Sequence, residues 1–144
     1  MQVSVLLQGK GAGVVTVRAD RPVSEVCAVL ARHRIGAVVV SEWGVRVDGI
    51  VSERDVIRAL AEGGPAILDR PASSLMTTEV VTCEPDTTVE QLMSTMTERR
   101  IRHVPVVVGG ELVGLVSIGD VVKDRISGLE HETQALHNYI VNPY

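Results

Sequence analysis

The strongest constraint on this chain is that it repeats itself. Val14-Val15-Thr16 returns 66 positions later as Val80-Val81-Thr82, and residues 49–56 return 65 positions later as residues 114–121. Self-similarity over most of a chain indicates two copies of one supersecondary unit, here of about 55 residues each. The 144 residues therefore fit two small units and not a (β/α)8 barrel, which typically takes about 250 residues.

Both copies are predicted to run in the order β-α-β-β-α. The β-branched runs at 14–17 and 80–82 predict the opening strands. Two further strands follow in each copy, joined by the turn residues Glu42-Trp43-Gly44 in copy one and Gly109-Gly110 in copy two. Their predicted ranges are 37–40 with 45–51, and 104–108 with 111–116.

The predicted helices have recognisable starts. Pro22 suits the first helical position in copy one, and Thr87 with Glu90 forms a capping-box pattern in copy two. Behind both starts, apolar side chains recur at helical spacing. The second helix of each copy begins at Ser52 or Ser117 and lies directly after a strand.

Glycine and proline mark a connection between the copies, and spaced apolar residues predict a last helix over 128–140. We therefore expect a first unit over residues 8–62, a linker over 63–76, a second unit over 77–127 and a C-terminal helix and tail over 128–144. One unit alone is too small to bury an adequate core. We expect an α/β (α+β) fold whose two units pack face to face, share a core and have pseudo-twofold symmetry.

Composition excludes several classes of function. A net charge of −4 and a pI near 5.5 argue against nucleic acid or an anionic membrane as partner. No apolar stretch reaches the roughly 18–20 residues of a membrane span, and the N-terminus lacks the basic region of a secretory signal. Cys27 and Cys83 form no CxxC pair, which fits a reducing cytoplasm. His131 and His137 do not share a helical face, so we expect no metal site.

The repeat resembles the cystathionine-β-synthase (CBS) domain pair, also called a Bateman module. The likeness rests on Gly-apolar-Val-Ser-x-x-Asp, which closes each copy at 49–55 and 114–120, and on the residues 101–106. It covers about residues 8–127, and the small stand-alone bacterial members are the most similar. The resemblance implies a regulatory module that binds AMP, ADP, ATP, NAD(H) or S-adenosylmethionine between the copies, although some members bind nothing known.

Ser52-x-x-Asp55 and Ser117-x-x-Asp120 carry the most specific hypothesis. Each pair stands where a strand turns into a helix, whose free N–H groups and positive dipole end suit a phosphate. An Asp one turn on can accept from two vicinal ribose hydroxyls, and the glycine three residues before each Ser would let the backbone approach a ligand. By resemblance, the Asp holds ribose and the Ser the phosphate side. Ser-x-x-Asp is equally a helix-capping pattern, and both roles can hold together.

The charged residues around these pairs differ between the copies. Arg102 and His103 stand just before a strand where the copies should meet, whereas copy one has Gly36 and Ala37 there. Together with Arg54, which copy two replaces by glycine, they are expected to bind a polyphosphate end. Surface charge and a satisfied histidine are the alternative. We expect the two clefts to differ in affinity.

The resemblance also implies walls for an adenine, from residues near the first strand and in the strand after the first helix. With no Phe in the chain, aliphatic side chains would have to sandwich the base. Taken singly, each of these residues is also consistent with an ordinary strand position. The residues are Thr16, Val38, Thr82, Val104 and Pro105.

The sequence thus predicts an adenosine-nucleotide sensor of the AMP/ATP/NADH type that has no catalytic activity and no tightly required cofactor. No nucleophile stands with a base, and no acid–base pair has a catalytic spacing. The module would act on an unknown effector protein by ligand-dependent conformational change, as a homodimer. The alternative is a structural or dimerisation module whose clefts are empty.

Overall fold

A computed structural model describes residues 1–11 and 13–141. Within these ranges the helices α1 to α5 span Val3–Lys10, Val23–His33, Glu53–Gly63, Val89–Arg99 and Ile118–Val141. The strands β1 to β5 span Thr16–Val17, Ala37–Val40, Gly49–Ser52, His103–Val108 and Glu111–Ser117. Two short 3₁₀ helices, Pro65–Asp69 and Ala72–Ser74, lie between the copies.

The strands form two small sheets with matching registers. One sheet has the order β1-β2-β3 and the other consists of β4 and β5. The antiparallel pair β2–β3 sets Ala37 opposite Ser52, and the antiparallel pair β4–β5 sets His103 opposite Ser117. In each copy the last strand therefore turns into a helix beside the start of its neighbour strand, as the repeat predicts.

The opening strand predicted over 80–82 is wrong. In copy one Thr16 pairs with Val39, but in copy two Cys83 alone forms a bridge to β4. Copy two has Pro105 at the position of Val39, and proline has no N–H to extend a ladder. The Cys83 N–H still donates to the carbonyl of Pro105 at 3.0 Å, so the strand edge is reduced to this single bridge.

The capping box of α4 lies one residue beyond the predicted pair of Thr87 and Glu90. Thr88 Oγ1 accepts from the Gln91 N–H at 3.1 Å, and Gln91 Oε1 accepts from the Thr88 N–H at 3.0 Å. Thr87 Oγ1 instead accepts from a backbone N–H in the preceding turn. The Thr87 hydroxyl, which the sequence predicted to cap α4, therefore accepts a hydrogen bond from the turn instead.

Three other boundaries differ from the prediction. Pro22 precedes the first helical residue and has extended backbone, with φ −67° and ψ 150°. β3 begins at Gly49 and not at Val45, whose carbonyl accepts from the Leu112 N–H of copy two at 2.6 Å. α5 continues through Gly128, where a break was predicted, since one glycine inside a helix costs only about 1 kcal/mol.

Each copy has its own hydrophobic core, which corrects the expectation of a shared one. The buried cluster of copy one draws on β1, β2, β3, α2 and α3, and on Ile67 and Ala72 from the 3₁₀ helices. The buried cluster of copy two draws on α4, β4, β5 and α5, and on Val3 and Leu6 from α1. Each core is thus completed by the segment that precedes the other copy in sequence.

Backbone hydrogen bonds attach each of these segments to the copy whose core it completes. We call α1 and the pair of 3₁₀ helices the exchanged segments. The Val3 N–H of α1 donates to the carbonyl of Thr87 in copy two at 2.8 Å. Between the copies, the carbonyl of Arg70 accepts from the Val23 N–H of copy one, also at 2.8 Å. These matched attachments give the chain its pseudo-twofold organisation. The helix α1 was not expected, because the sequence predicted no element before residue 8.

The glycines that open the repeated motif make room for these segments. A Cβ on Gly49 would lie 2.7 Å from the Sδ of Met76, and a Cβ on Gly114 would overlap the Leu7 side chain of α1. The expectation that these glycines admit a ligand is therefore wrong. Because neither glycine has a side chain, the side chains of Met76 and Leu7 can pack directly against the backbone at these positions.

Candidate functional site

Both Ser-x-x-Asp pairs form complete capping boxes with the same geometry. The Ser52 N–H donates to Asp55 Oδ2 at 2.8 Å, and Ser52 Oγ accepts from the Asp55 N–H at 3.2 Å. Ser117 and Asp120 repeat both distances at the start of α5. Each hydroxyl also donates to the same Oδ2 at 3.0 Å. The capping role is therefore present in both copies.

The capping box uses one oxygen of each carboxylate. Within the described residues, every hydrogen bond to Asp55 and Asp120 goes to Oδ2. The Oδ1 atoms accept none of these bonds, and both Asp residues are only half-buried. A carboxylate can thus cap its helix and still accept a hydrogen bond from a ligand.

Copy two adds a lysine to its capping box. Lys10, the last residue of α1, donates from Nζ to Asp120 Oδ2 at 2.7 Å and to the Leu115 carbonyl at 2.7 Å. The exchanged helix thus brings an ammonium group to the start of α5 from 110 positions away in sequence. The Asp55 box has no such partner among the described ion pairs.

His103 lies where the two copies meet. A Cβ on Gly36 would stand 3.2 Å from both Cε1 and Nε2 of His103, and 3.6 Å from Oε1 of Glu53. The imidazole of copy two therefore lies against the glycine and beside the first helical residue of copy one. Together we call Lys10, Glu53, His103, Ser117 and Asp120 the copy-two polar cluster.

The cluster changes the proton affinities of its members. Burial raises the pKa of Asp120, but hydrogen bonds from Lys10 and Ser117 and the charge of Lys10 outweigh it, so the pKa lies below its usual value. Burial and then the charge of Lys10 lower the pKa of His103, against the opposing effect of Glu53 and Asp120. At neutral pH the cluster therefore contains an ionised Asp120 and a neutral His103.

The other predicted polar residues lie at different levels of exposure. Arg54 is the second residue of α3, and Arg102 immediately precedes His103; both are exposed. The Arg102 carbonyl accepts from the Ile118 N–H at 2.8 Å, which fastens the start of α5 to this strand. Thr16 is half-buried at the start of β1, and Thr82 is exposed.

Strand alternation separates the predicted adenine walls into two sets. Val38 and Val104 are fully buried and belong to the two cores, so their side chains face the helices of their own copy. Successive side chains on a strand point to opposite faces, so Pro105 shares the face of His103, and Val39 shares the face of Ala37. The structure therefore does not bring Val38 and Val104 to the polar cluster, whereas Pro105 lies on its side.

A cleft of about 450 Å³ opens beside α4, on the helix side of copy two. Among its lining residues are Thr82 and Val104, together with Cys83 and the α4 residues Gln91 and Thr95. Among the described residues, no charged side chain lines this cleft. Burial raises the pKa of Cys83 to about 11, so its thiol is protonated and poorly nucleophilic at neutral pH. We place the candidate site at the polar cluster because charged groups converge there.

Sequence reasoning missed Lys10 and Glu53. Lys10 reaches Asp120 only because α1 packs on the second copy, and no local sequence pattern predicts that packing. Glu53 could have been found, because it follows Ser52 directly and so stands at the helix start that the repeated motif identifies. Within the described ranges, no group of three or more His, Cys, Asp or Glu side chains could hold a metal ion. None of the described helices is long and apolar enough to cross a membrane.

Comparison with known proteins gives a consistent family match. The model of the CBS domain matches the chain twice, at residues 12–62 and 72–126. The CBS domain-containing protein YhcV of Bacillus subtilis is 32% identical over 126 residues, which cover 87% of each chain. The mitochondrial CBS domain-containing protein CBSX3 of Arabidopsis thaliana is 35% identical over 129 residues, which cover 87% of this chain and 63% of that protein.

Solved structures of CBS-domain proteins support the same family match. A CBS-domain-containing protein from Agrobacterium tumefaciens has a TM-score of 0.83 and 48% identity, covering 87% of this chain and 99% of that one. The CBS domain pair of protein MJ0100, solved in complex with 5′-methylthioadenosine and S-adenosyl-L-methionine, has a TM-score of 0.76 and 25% identity, covering 90% and 98%. Two family matches on a twofold repeat, with matching folds, show that this chain belongs to the CBS domain family and forms a CBS domain pair.

Proposed function

We propose that the chain is a regulatory module that binds an adenosine-containing nucleotide, of the AMP, ADP, ATP or NAD(H) type, and catalyses no reaction itself. The ligand would lie beside the copy-two polar cluster. Its output would be a ligand-dependent change in conformation that a separate effector protein detects. A ligand can shift such an equilibrium only by its difference in affinity for the two states.

The free oxygen of Asp120 is the observation that carries this proposal. Its Oδ2 is engaged by the capping box and Lys10, while Oδ1 is available to two ribose hydroxyls. The positive dipole end of α5 would attract a phosphate, and the Ser117 hydroxyl, which here donates to Asp120 Oδ2, would turn to donate to the phosphate instead. Lys10 supplies a cationic group, His103 a neutral imidazole that can donate or accept a hydrogen bond, and Pro105 an apolar wall, while the exposed Arg102 would add a second cation. The adenosine ligands of MJ0100 support the ligand class.

The polar cluster favours the second copy as the tighter site. Copy one has Arg54 at its helix start, but no ion pair to Asp55 is seen in the described part of the chain. A phosphate entering copy two meets Lys10, which is already held within hydrogen-bonding distance of Asp120. Recruiting Lys10 to the phosphate would couple ligand binding to α1.

Isothermal titration calorimetry with AMP, ATP, NADH and S-adenosylmethionine tests the proposal. We expect binding by at least one of these ligands, and at least a tenfold loss in Asp120→Asn, because a tenfold change corresponds to about 1.4 kcal/mol, the scale of one charged hydrogen bond. Asn keeps an oxygen for the capping box, so the fold should persist. Asp55→Asn is the matched control and should reduce affinity less. No binding of any of the four ligands at millimolar concentration would contradict the proposal.

A structural or dimerisation module with empty clefts is the second candidate. The completeness of both capping boxes favours it, since each Ser and Asp already has a structural role without a ligand. On this alternative, Asp120→Asn would change the unfolding midpoint but no ligand would raise that midpoint in the unsubstituted protein.

A further inference from the structure

The C-terminal half of α5 has no cover within the described chain. α5 is 24 residues long, and Val121 in its first turn is buried in the copy-two core. Every residue from 125 to 141 is exposed. Most helical stability in proteins comes from packing of an apolar face and not from intrinsic helix propensity. The exposed half of α5 therefore lacks the packing that usually stabilises a helix in a protein.

The exposed half carries a regular apolar seam. Successive seam residues are separated by four, three, four, three and four positions, which is the a/d spacing of a coiled coil. Leu136 is 60% exposed and Ile140 67% exposed, although both are large and apolar. The seam consists of Val122, Ile126, Leu129, Thr133, Leu136 and Ile140.

The choice of residues along the seam favours two parallel strands. The a positions are Ile126, Thr133 and Ile140, and all three are β-branched. Leucine occupies two of the three d positions, Leu129 and Leu136. β-Branched residues at a with leucine at d favour parallel dimers, and one polar a residue, here Thr133, helps to fix the register.

We propose that the seam of α5 pairs with the same seam of a second copy of this chain in a parallel two-stranded coiled coil. Charges beside the seam are complementary in this arrangement. Arg125, at a g position, faces Glu130 at the e position of the second copy, and the g residue Glu132 faces the e residue His137, whose ring N–H can donate to the carboxylate. A fully overlapped antiparallel pair would instead set Glu130 against Glu130 and Glu132 against Glu132, which is repulsive.

The residues that attach α5 to the body of the protein are not seam residues. Val121, which anchors α5 in its own core, is at a c position and therefore on the outer side of the coiled coil. Asp120 is at a b position, also away from the seam. Both copies can thus keep their polar clusters open while their α5 helices associate. The proposal is independent of whether a nucleotide binds.

Sedimentation equilibrium of the 144-residue chain tests the association. We expect a mass that approaches twice 15.5 kDa as concentration rises. Leu136→Asp should weaken the dimer at least a hundredfold, whereas Ala135→Asp, which adds the same charge to the neighbouring c position, should leave it within threefold. A chain that stays monomeric at millimolar concentration, or a dimer unaffected by Leu136→Asp, would overturn the proposal.

A charge exchange and a crosslink test the parallel arrangement. Arg125→Glu or Glu130→Arg alone should weaken the dimer, and the double variant should recover most of the loss, because the g–e′ pair is restored with inverted signs. Thr133→Cys should form a disulfide between copies on mild oxidation, since identical a positions meet only in a parallel pair. Failure to crosslink in a dimer that Leu136→Asp disrupts would show an antiparallel or staggered pairing and refute the parallel one.

Discussion

At the scale of single residues, Asp55 and Asp120 have the same backbone environment but different electrostatic surroundings. Both cap a helix with the same hydrogen-bond lengths. Only Asp120 has an ammonium group 2.7 Å away within the described chain, because α1 delivers Lys10. The two copies are therefore equal in local fold and unequal in charge at the position where the sequence repeat is most nearly perfect.

Lys10→Met should make the protein more sensitive to acid. Asp120 has a pKa below its usual value, so it stabilises the fold above the unfolded-state pKa and loses that contribution as pH falls through the folded-state pKa. Removing Lys10 raises the folded-state pKa, so acid unfolding should begin at a higher pH. At neutral pH the loss should be only about 0.5 kcal/mol, because both side chains are partly solvated.

Acid titration followed by circular dichroism measures this shift, with Lys123→Met as the control that removes the same charge from an exposed site. An NMR titration of the Asp120 carboxyl carbon reports the pKa directly. An unchanged acid midpoint and an unchanged Asp120 titration in Lys10→Met would show that the ion pair contributes nothing in solution.

At the scale of elements, the determining feature is the exchange of flanking segments. α1 packs on β5 and α5, and the 3₁₀ segment packs on α2 and α3. Gly114 and Gly49 are the points of closest approach, since Leu7 and Met76 fill the space of the absent side chains. The glycine repeated in the motif is thus explained by the packing of these two segments, without reference to a ligand.

Gly114→Ala should destabilise the protein by about 1–3 kcal/mol, because the added methyl group overpacks the contact with Leu7. Leu7→Ala in the same chain should relieve the overlap, so the double variant should lose less stability than the sum of the two single variants. Urea unfolding at constant slope gives the three free energies.

Gly128→Ala is the control for the glycine-to-alanine change. A Cβ there meets no atom within 4 Å, and alanine is the better helix former, so this variant should be unchanged or slightly more stable. Additive effects of Gly114→Ala and Leu7→Ala would contradict the proposed overlap.

At the scale of the whole molecule, the chain is two cores joined by exchanged segments. Val3 and Leu6 are buried in the copy-two cluster, whereas the copy-one cluster contains nothing from α1. A defect in α1 should therefore weaken the second copy first. Fully burying two aliphatic side chains stabilises a fold by roughly 3–6 kcal/mol, which is a large part of a typical total.

The double variant Val3→Ser/Leu6→Ser should lose amide hydrogen-exchange protection selectively in α4, β4 and β5. Protection in β2 and β3 should fall much less, because their core is intact. Val5→Ser, on the exposed side of the same helix, should change neither region. Equal loss of protection in both copies would show that the two cores unfold as one unit.

Apart from the opening strand of copy two, the structure confirms the predicted repeat order, together with the strands β2 and β4, the Gly109-Gly110 turn and the two Ser-x-x-Asp helix starts. These predictions succeeded because they rest on local periodicity and on turn and capping chemistry, which act over a few residues. The prediction of a strand over 80–82 was wrong, because its partner strand β4 contains Pro105, which has no N–H to donate and lies over twenty positions further along the chain. The outcome there depends on pairing, which is not a local property.

The sequence by itself determined the duplication, the Ser-x-x-Asp helix starts and the spaced apolar residues of the last helix, because each depends on spacings of a few residues or on a repeat that can be aligned on itself. Only the tertiary structure decided that α1 completes the second core, that Gly114 accommodates Leu7 and that Lys10 meets Asp120. Those contacts join residues about 110 positions apart, and they exist because a small β-α-β-β-α unit cannot cover its own apolar surface and takes the missing segment from elsewhere in the chain.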